Sequence, residues 1–152
     1  MVMSRGKLLR SVDQDRIVEA IREAEKRTSG EIRVSVSSLI WGDVRKAAEK
    51  AFVRMGMTAT KERNAVLFFV VPARRKFVVL GDTGIHEKVG QEFWHHIVRL
   101  VAHSFRRGDF TDGLVRAIET VGEALASHFP RGANQPPGAL PDEVDYGTEN
   151  SN

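Results

Sequence analysis

The sequence predicts an α/β protein, a three-layer α/β/α sandwich on a small mixed sheet that contains a β-hairpin. An uninterrupted apolar run at residues 65–71 is typical of a central strand that is covered on both faces. A second strand-like run at residues 76–80 follows after a connection too short for a parallel crossover, so the two strands must pair antiparallel. Four amphipathic helical patterns flank these strands along the chain, and such helices need a sheet face to cover.

The length and composition fit one soluble globular domain. The chain has 152 residues, 23 Lys and Arg against 20 Asp and Glu, and no cysteine, which excludes disulfides, thiolate metal sites and cysteine nucleophiles. The longest apolar run, residues 65–72, is far shorter than the ~18 residues of a membrane span. The N-terminal residues contain no apolar signal-peptide core, and we therefore expect a cytoplasmic protein.

Charge and composition divide the chain into three parts. Residues 1–11 are expected to be a flexible N-terminus, and residues 12–130 to form the folded domain. Residues 131–152 contain one base, Arg131, together with several Pro and Gly residues and few large apolar ones. Because such a segment cannot bury enough surface to offset its ordering entropy, it is predicted to be a disordered acidic tail. Its acids are Asp142, Glu143, Asp145 and Glu149.

The domain is predicted to begin with a helix and a strand. Ser11 followed three residues later by Gln14 has the form of a capping box and indicates a helix start. Gly30 is expected to end this helix, and residues 31–37 then alternate apolar and polar, which predicts a strand buried on one face. The apolar stripe of the helix is Ile17, Ile21, Ala24 and Thr28.

A second helix and the hairpin follow. The helix is predicted over residues 44–55 and ends at Gly56, before a polar loop at residues 57–64. Pro72 ends the central strand, because proline cannot donate to the ladder, and residues 73–75 form the hairpin turn.

Two strong amphipathic helices complete the predicted domain. A turn at residues 81–84 precedes the first helix, which ends at Gly108. Asp109 or Thr111 is expected to cap the second helix, which ends before Pro130. The apolar stripes are Phe93, Trp94, Ile97, Val98, Val101 and Phe105 in the first helix, and Leu114, Ile118, Val121 and Leu125 in the second.

Several segments, in this order and at this spacing, resemble the TPM domain. That family is named after a thylakoid-lumen phosphatase-like protein, a photosystem II repair protein and an acetylcholine-receptor auxiliary protein. The resemblance covers about residues 12–129 and implies the layered α/β fold. The matching segments are Thr28-Ser29-Gly30-Glu31-Ile32, Asn64-Ala65-Val66-Leu67, Arg75, Gly81-Asp82-Thr83-Gly84-Ile85, and Phe105-Arg106-Arg107-Gly108-Asp109-Phe110 with Gly113-Leu114.

The resemblance implies a biochemistry that differs between members. Acid phosphatase activity and calcium binding have been ascribed to some, and many have no assigned activity. Exported members usually carry an acidic residue before the hairpin arginine, whereas the turn here reads Pro72-Ala73-Arg74-Arg75. The sequence therefore resembles the soluble, single-domain branch of the family, and a cation or phosphatase site that needs that carboxylate is not expected.

Four acids lie where ligand sites of α/β proteins gather. Glu31 begins one strand, Asp82 follows another, and Asp109 and Asp112 lie at a helix start. Together their oxygens would suit a hard cation, calcium or magnesium. In the competing interpretation, which we favour, Asp109 and Asp112 cap a helix and Asp82 makes an Asx turn.

Catalytic motifs are weak. A phosphatase would have to use Asp82 with Glu31 and His86, since the chain contains neither a Gly-x-Ser-x-Gly elbow nor a phosphate-binding loop. Asp82-Thr83-Gly84 copies the aspartic-protease triplet, but that chemistry needs two aspartates and the triplet occurs once. Three further histidines are interpreted as solvated residues on one helix: His95, His96 and His103.

The basic groups at residues 74–76 and 106–107 are interpreted as a solvated face, and nucleic-acid binding is not expected, because most aromatics fall on core stripes. Trp41 is the loop aromatic that could be exposed. The leading hypothesis is a monomeric, non-enzymatic interaction or accessory module, which contacts an unidentified protein partner near Glu31, Asp82, Asp109 and Trp41. The alternatives are a metal-assisted, acid phosphatase-like hydrolase of phosphomonoesters and a calcium-binding accessory domain.

Overall fold

The computed structural model describes residues 12–39, 41–132 and 140–147. The helices of these residues are α1 (Gln14–Glu25), α2 (Val44–Arg54), α3 (Thr83–Val89), α4 (Gln91–Arg106) and α5 (Phe110–His128). The strands are β1 (Glu31–Val36), β2 (Ala65–Val71) and β3 (Lys76–Gly81). Short 3-10 turns occupy Met57–Ala59 and Pro72–Arg74.

The sheet is mixed, with the strand order β1-β2-β3. β1 runs parallel to β2, in a register that pairs Glu31 with Ala65. β2 and β3 form the antiparallel hairpin, with Val71 opposite Lys76 next to the turn. The predicted mixed sheet and its hairpin are therefore confirmed.

Both faces of β2 are covered by helices, which confirms the three-layer sandwich. Val66, Phe68 and Val70 belong to an apolar cluster that contains residues of α1, α4 and α5. The alternate residues, among them Leu67 and Phe69, pack in a second cluster with α2. This arrangement explains why β2 is apolar without alternation. None of the helices in the described part of the chain combines the length and apolar composition needed to cross a bilayer.

The first helix is bounded differently from the prediction. Asp13 is its N-cap, since its carboxylate accepts the Arg16 N–H at 3.3 Å; the predicted capping box is wrong, and Ser11 itself lies outside the described residues. The helix ends at Glu25 rather than at Gly30, and Thr28 donates its hydroxyl to the Phe129 carbonyl at 2.6 Å. A Cβ on Gly30 would lie 2.7 Å from a Leu125 methyl, so glycine is required there for helix packing.

Two short elements differ from the predicted loops. Residues 83–89 form α3, where only a turn was predicted at residues 81–84. The segment 57–64, predicted to be a polar loop, begins with a 3-10 turn that buries Met57 completely. Each element buries a single large apolar side chain, so neither leaves a periodic pattern in the sequence.

The largest departure from the prediction concerns the predicted disordered tail. Residues 140–147, named here the C-terminal segment, pack along β1, and Asp145 forms a parallel bridge with Ser35. As a result β1 is buried on both faces, not on one as predicted. The flexible N-terminus predicted for residues 1–11 and the tail residues 133–139 and 148–152 lie outside the described residues.

The strand directions define two ends of the sheet. At the hairpin end, Arg74 donates to the Gly42 carbonyl next to the start of α2, at 3.1 Å. Arg75 donates there to the Arg106 carbonyl at the end of α4, at 3.3 Å. The opposite end holds the start of β1 and of β2, about 20 Å away at ~3.3 Å per strand residue.

Candidate functional site

The four acids predicted to share a site lie at two ends of the molecule. Glu31 pairs with Ala65 at the opposite end of the sheet, where the Asp82 N–H also donates to the Ala65 carbonyl at 2.9 Å. Asp109 and Asp112 lie at the start of α5, which follows the hairpin-end turn of Arg107. The length of β2 separates the two pairs. The described residues contain no group of three or more His, Cys, Asp or Glu side chains placed to hold a metal ion.

Asp82 is held in a buried ion pair. Its carboxylate accepts Arg63 Nε at 2.6 Å and Arg63 Nη2 at 2.9 Å, and also the Thr83 N–H at 2.8 Å, which caps α3. The hydrogen bond and charge of Asp82 raise the pKa of the Arg63 guanidinium. Arg63 has φ +52°, a left-handed conformation that is unusual for a residue with a side chain. These contacts fasten α3 to the loop before β2.

Glu31 lies in a buried acidic group formed with Glu25 and Asp142. Its Oε1 accepts the Leu140 N–H at 3.1 Å, while Glu25 Oε2 accepts the Ile32 N–H at 2.9 Å. Burial, followed by the hydrogen bond with Asp142, raises the pKa of Glu25 to about 9. Glu25 is therefore protonated at neutral pH, and this group joins the C-terminal segment to α1 and β1.

The two acids at the hairpin end act as the capping interpretation predicted. Asp109 Oδ1 accepts the Asp112 N–H at 3.2 Å and caps α5. Asp112 forms ion pairs with Arg16 at 3.5 Å and with Arg116 at 3.6 Å. Negative charge at a helix start also opposes the helix dipole favourably.

His86 is turned away from the Asp82 carboxylate and towards α4. Its Nδ1 accepts the indole N–H of Trp94 at 3.0 Å, which leaves any proton of the neutral ring on Nε2. Trp94 lies flat over the end of β3, because a Cβ on Gly81 would come within 2.3 Å of its ring. The exposed positions of His95, His96 and His103 confirm their interpretation as surface residues.

The hairpin end carries a dense basic surface, named here the basic end. Its basic side chains come from α2, from the hairpin and from the turn between α4 and α5: Arg45, Lys46, Arg74, Arg75, Lys76, Arg106 and Arg107. Part of it surrounds a shallow cavity of about 510 Å³, between the start of α2 and the hairpin. Arg75, with φ +49°, anchors this surface through its bond to the α4 end.

The acids of the basic end are already engaged. Asp43 caps α2 by accepting the Lys46 N–H at 3.1 Å, and Asp109 and Asp112 have the partners given above. Trp41 lies next to this surface in the loop before α2, with 79% of its surface exposed. The carboxyl ends of the parallel strands β1 and β2 meet here, which is where open α/β sheets bind ligands.

Sequence reasoning named every component of the basic end but did not join them. The basic residues were interpreted as a solvated face, and the contact surface was placed at Glu31, Asp82, Asp109 and Trp41. Of those four, Asp109 and Trp41 lie at the hairpin end, and Glu31 and Asp82 lie at the other. The signal that could have joined them is positional, because each basic group falls in a loop predicted at the same end of the sheet.

Comparisons with known proteins agree with this fold. A family model described as TPM domain matches residues 2–124. The chain is similar to the NMR structure of the BA42 protein from the psychrophilic bacterium Bizionia argentinensis, with 39% identity and a TM-score of 0.82 over 88% of this chain and 92% of that one. It also shares its fold with the N-terminal domain of the cg2496 protein from Corynebacterium glutamicum, at 16% identity and a TM-score of 0.54 over 91% and 83% of the two chains. A search of curated proteins found no match.

Proposed function

This chain belongs to the TPM domain family, and we propose that it is a binding module that holds an acidic surface of a protein partner at its basic end, without turnover of a substrate. The observation that carries the proposal is the basic end itself. Basic side chains from three separate parts of the chain converge there, while the neighbouring acids are used for helix caps and ion pairs.

Charge complementarity is the first reason for an acidic partner. A surface with one sign of charge steers an oppositely charged partner and suppresses binding of like-charged ones. The second reason is Trp41, since exposed Trp and Arg residues are the side chains that most often dominate the binding energy of protein interfaces. A flat aromatic ring beside a basic cavity suits a folded protein surface with an acidic rim.

Hydrolysis of phosphomonoesters is less well supported by the contacts. Asp82, the acid on which that function would depend, already accepts two hydrogen bonds from Arg63 and one from the start of α3. Glu31 is buried and bonded to the C-terminal segment. The hydrolase, the calcium-binding function, the cytoplasmic location and the monomeric state stay predictions.

Binding of poly-L-glutamate at low salt tests the proposal. Trp41 emission, obtained as the difference between wild type and Trp41→Phe, should change on titration, and the affinity should fall as salt is added. The double variant Lys76→Glu/Arg107→Glu should bind at least about tenfold more weakly, because two contact charges are reversed.

A matched control removes the effect of net charge. Lys61→Glu/Arg99→Glu makes the same change at exposed positions away from the basic end, and should bind as wild type does. Equal losses in both double variants would show attraction to overall charge and would contradict the proposal. Tighter binding of a single-stranded oligonucleotide than of poly-L-glutamate would replace the acidic protein partner with nucleic acid.

A further inference from the structure

The C-terminal segment is bound to β1 as an added strand. The Val36 N–H donates to the Asp145 carbonyl at 2.7 Å, and the Asp145 N–H donates to the Val34 carbonyl at 2.8 Å. The bridge between Ser35 and Asp145 is parallel. This is the geometry by which domains capture extended peptides at a sheet edge, with backbone bonds for affinity and side-chain pockets for specificity.

Side chains of the segment are read alternately on the two sides of the strand. The Asp145 carboxylate accepts Ser35 Oγ at 2.7 Å and both Nη atoms of Arg54, at 3.2 and 2.8 Å. Val144 and Tyr146 face the other way and are buried in the cluster formed by α1, α4 and α5. The surface formed by Arg33, Ser35, Arg54 and the edge of β1 is named here the β1 groove.

The chain's own segment fills this groove imperfectly. Arg33 is 93% buried beneath the segment, since only 7% of its surface is exposed, and its Nε has no hydrogen-bond acceptor among the described residues. Its Nη2 donates to the Glu143 carbonyl at 3.3 Å, while the Glu143 side chain is exposed. A buried guanidinium donor without an acceptor destabilises the complex in which it is found. A carboxylate placed opposite Arg33 would remove that cost.

The groove does not depend on the segment for its shape. β1 is already paired with β2 along its whole length, and α2 supplies Arg54 from within a regular helix. The residues that connect the segment to the end of α5 include Pro136, Pro137 and Gly138. A strand tethered through such a sequence can leave the groove without breaking an element of the sandwich.

We propose that the β1 groove is a binding site for an extended acidic segment of a partner protein, which displaces residues 140–147. The partner segment has an acid in the place of Asp145, bonded to Ser35 and Arg54, and apolar side chains on either side of it. A further acid reaches Arg33. The chain's own segment is then a tethered competitor, which sets how strong a partner must be.

A labelled peptide with the sequence of residues 140–147, Leu-Pro-Asp-Glu-Val-Asp-Tyr-Gly, tests the groove in the full chain. The variant Asp145→Ala weakens the tethered competitor and leaves the groove intact, so it should bind the peptide at least about tenfold more tightly than wild type does. Adding Arg54→Ala to that variant should abolish binding, and adding Arg99→Ala should not. The same peptide with Asp145→Ala should not bind.

Three outcomes would overturn the proposal. The first is failure of the peptide to bind the Asp145→Ala chain when its amide spectrum shows a folded domain. The second is binding that persists after Arg54→Ala. The third is a wild-type dimer, seen by sedimentation and lost in Asp145→Ala, which would make a second copy of this chain the occupant.

Hydrogen exchange of the wild-type chain gives an independent measurement that needs no variant. If the segment leaves the groove while the sandwich stays folded, the Val36 and Asp145 amides should exchange at least about 100-fold faster than the Phe68 amide in β2. Equal exchange at all three would show that the segment opens only on global unfolding, and would overturn the proposal. Because the basic end takes no part, these results are independent of the binding of poly-L-glutamate.

Discussion

Arg63 and Asp82 form a two-pronged ion pair in which the carboxylate is buried and the guanidinium is about half exposed, with side-chain exposures of 6% and 47%. The same two residues also connect through the backbone, since the Arg63 carbonyl accepts the Gly84 N–H at 2.8 Å. The pair therefore holds the start of α3 against the loop that leads into β2. Its role is to position a helix, and it leaves the Asp82 oxygens occupied.

Asp82→Ala should lower the free energy of unfolding by about 2–3 kcal/mol, because it removes charge-assisted hydrogen bonds and a helix cap together. Urea unfolding followed by far-UV circular dichroism measures this loss. Asp43→Ala is the matched control, since it removes only an exposed cap of α2, and it should cost about 1 kcal/mol. Similar losses in the two variants would contradict the role assigned to the Arg63 pair.

Gly84→Ala should destabilise the chain by about 1–3 kcal/mol, because overpacking against rigid atoms forces backbone shifts. A Cβ there would lie 2.1 Å from the Glu62 carbonyl oxygen and 2.7 Å from that of Arg63. Thermal unfolding measures the change, and Thr83→Ala, at the exposed neighbouring position, should have little effect. A fully stable Gly84→Ala chain would show that α3 can move away from the loop.

Much of this fold could be predicted because its strongest signals are local. The apolar run of β2 predicted two covered faces, and the short connection to β3 predicted the hairpin. The start of α1 was misplaced because Ser11 and Asp13 are both good caps, and the choice depends on a contact outside the helix: the Asp13 N–H donates to Thr111 Oγ1 at 2.9 Å. Local pattern does not contain such information.

The C-terminal segment escaped prediction for a related reason. It buries two large side chains, Val144 and Tyr146, and its binding depends on partners such as Ser35 that lie 110 residues away. Composition alone therefore assigns it to a disordered tail. The acid cluster failed on direction: α4, with 16 residues, spans about 24 Å and carries the chain from Asp82 to Asp109 at the other end of the sheet.

Assays with para-nitrophenyl phosphate should show no turnover by the wild-type chain, with or without calcium or magnesium. The reason is that Asp82 is committed to Arg63 and to the cap of α3. The variant Asp82→Asn, compared in the same assay after its fold has been checked, should equal wild type. Turnover in wild type that disappears in folded Asp82→Asn would support the hydrolase and contradict the binding module.

Stability should fall as pH rises from about 5 to about 9, because Glu25 has a pKa of about 9 in the folded chain and an ordinary value of 4.5. Between these values the folded state binds a proton that the unfolded state has released, so raising the pH favours unfolding. The cause is burial of the carboxyl group beside Asp142, and the contribution to stability that is complete below pH 4.5 is lost through pH 9. Glu25→Gln keeps a neutral group there and should be more stable than wild type at pH 8 by at least about 1 kcal/mol, since one pKa unit corresponds to about 1.4 kcal/mol. Urea unfolding at pH 5 and pH 8 measures both chains; a wild-type chain that is no less stable at pH 8, or a Glu25→Gln chain with the same pH dependence, would show that Glu25 ionises freely and that the C-terminal segment does not enclose it.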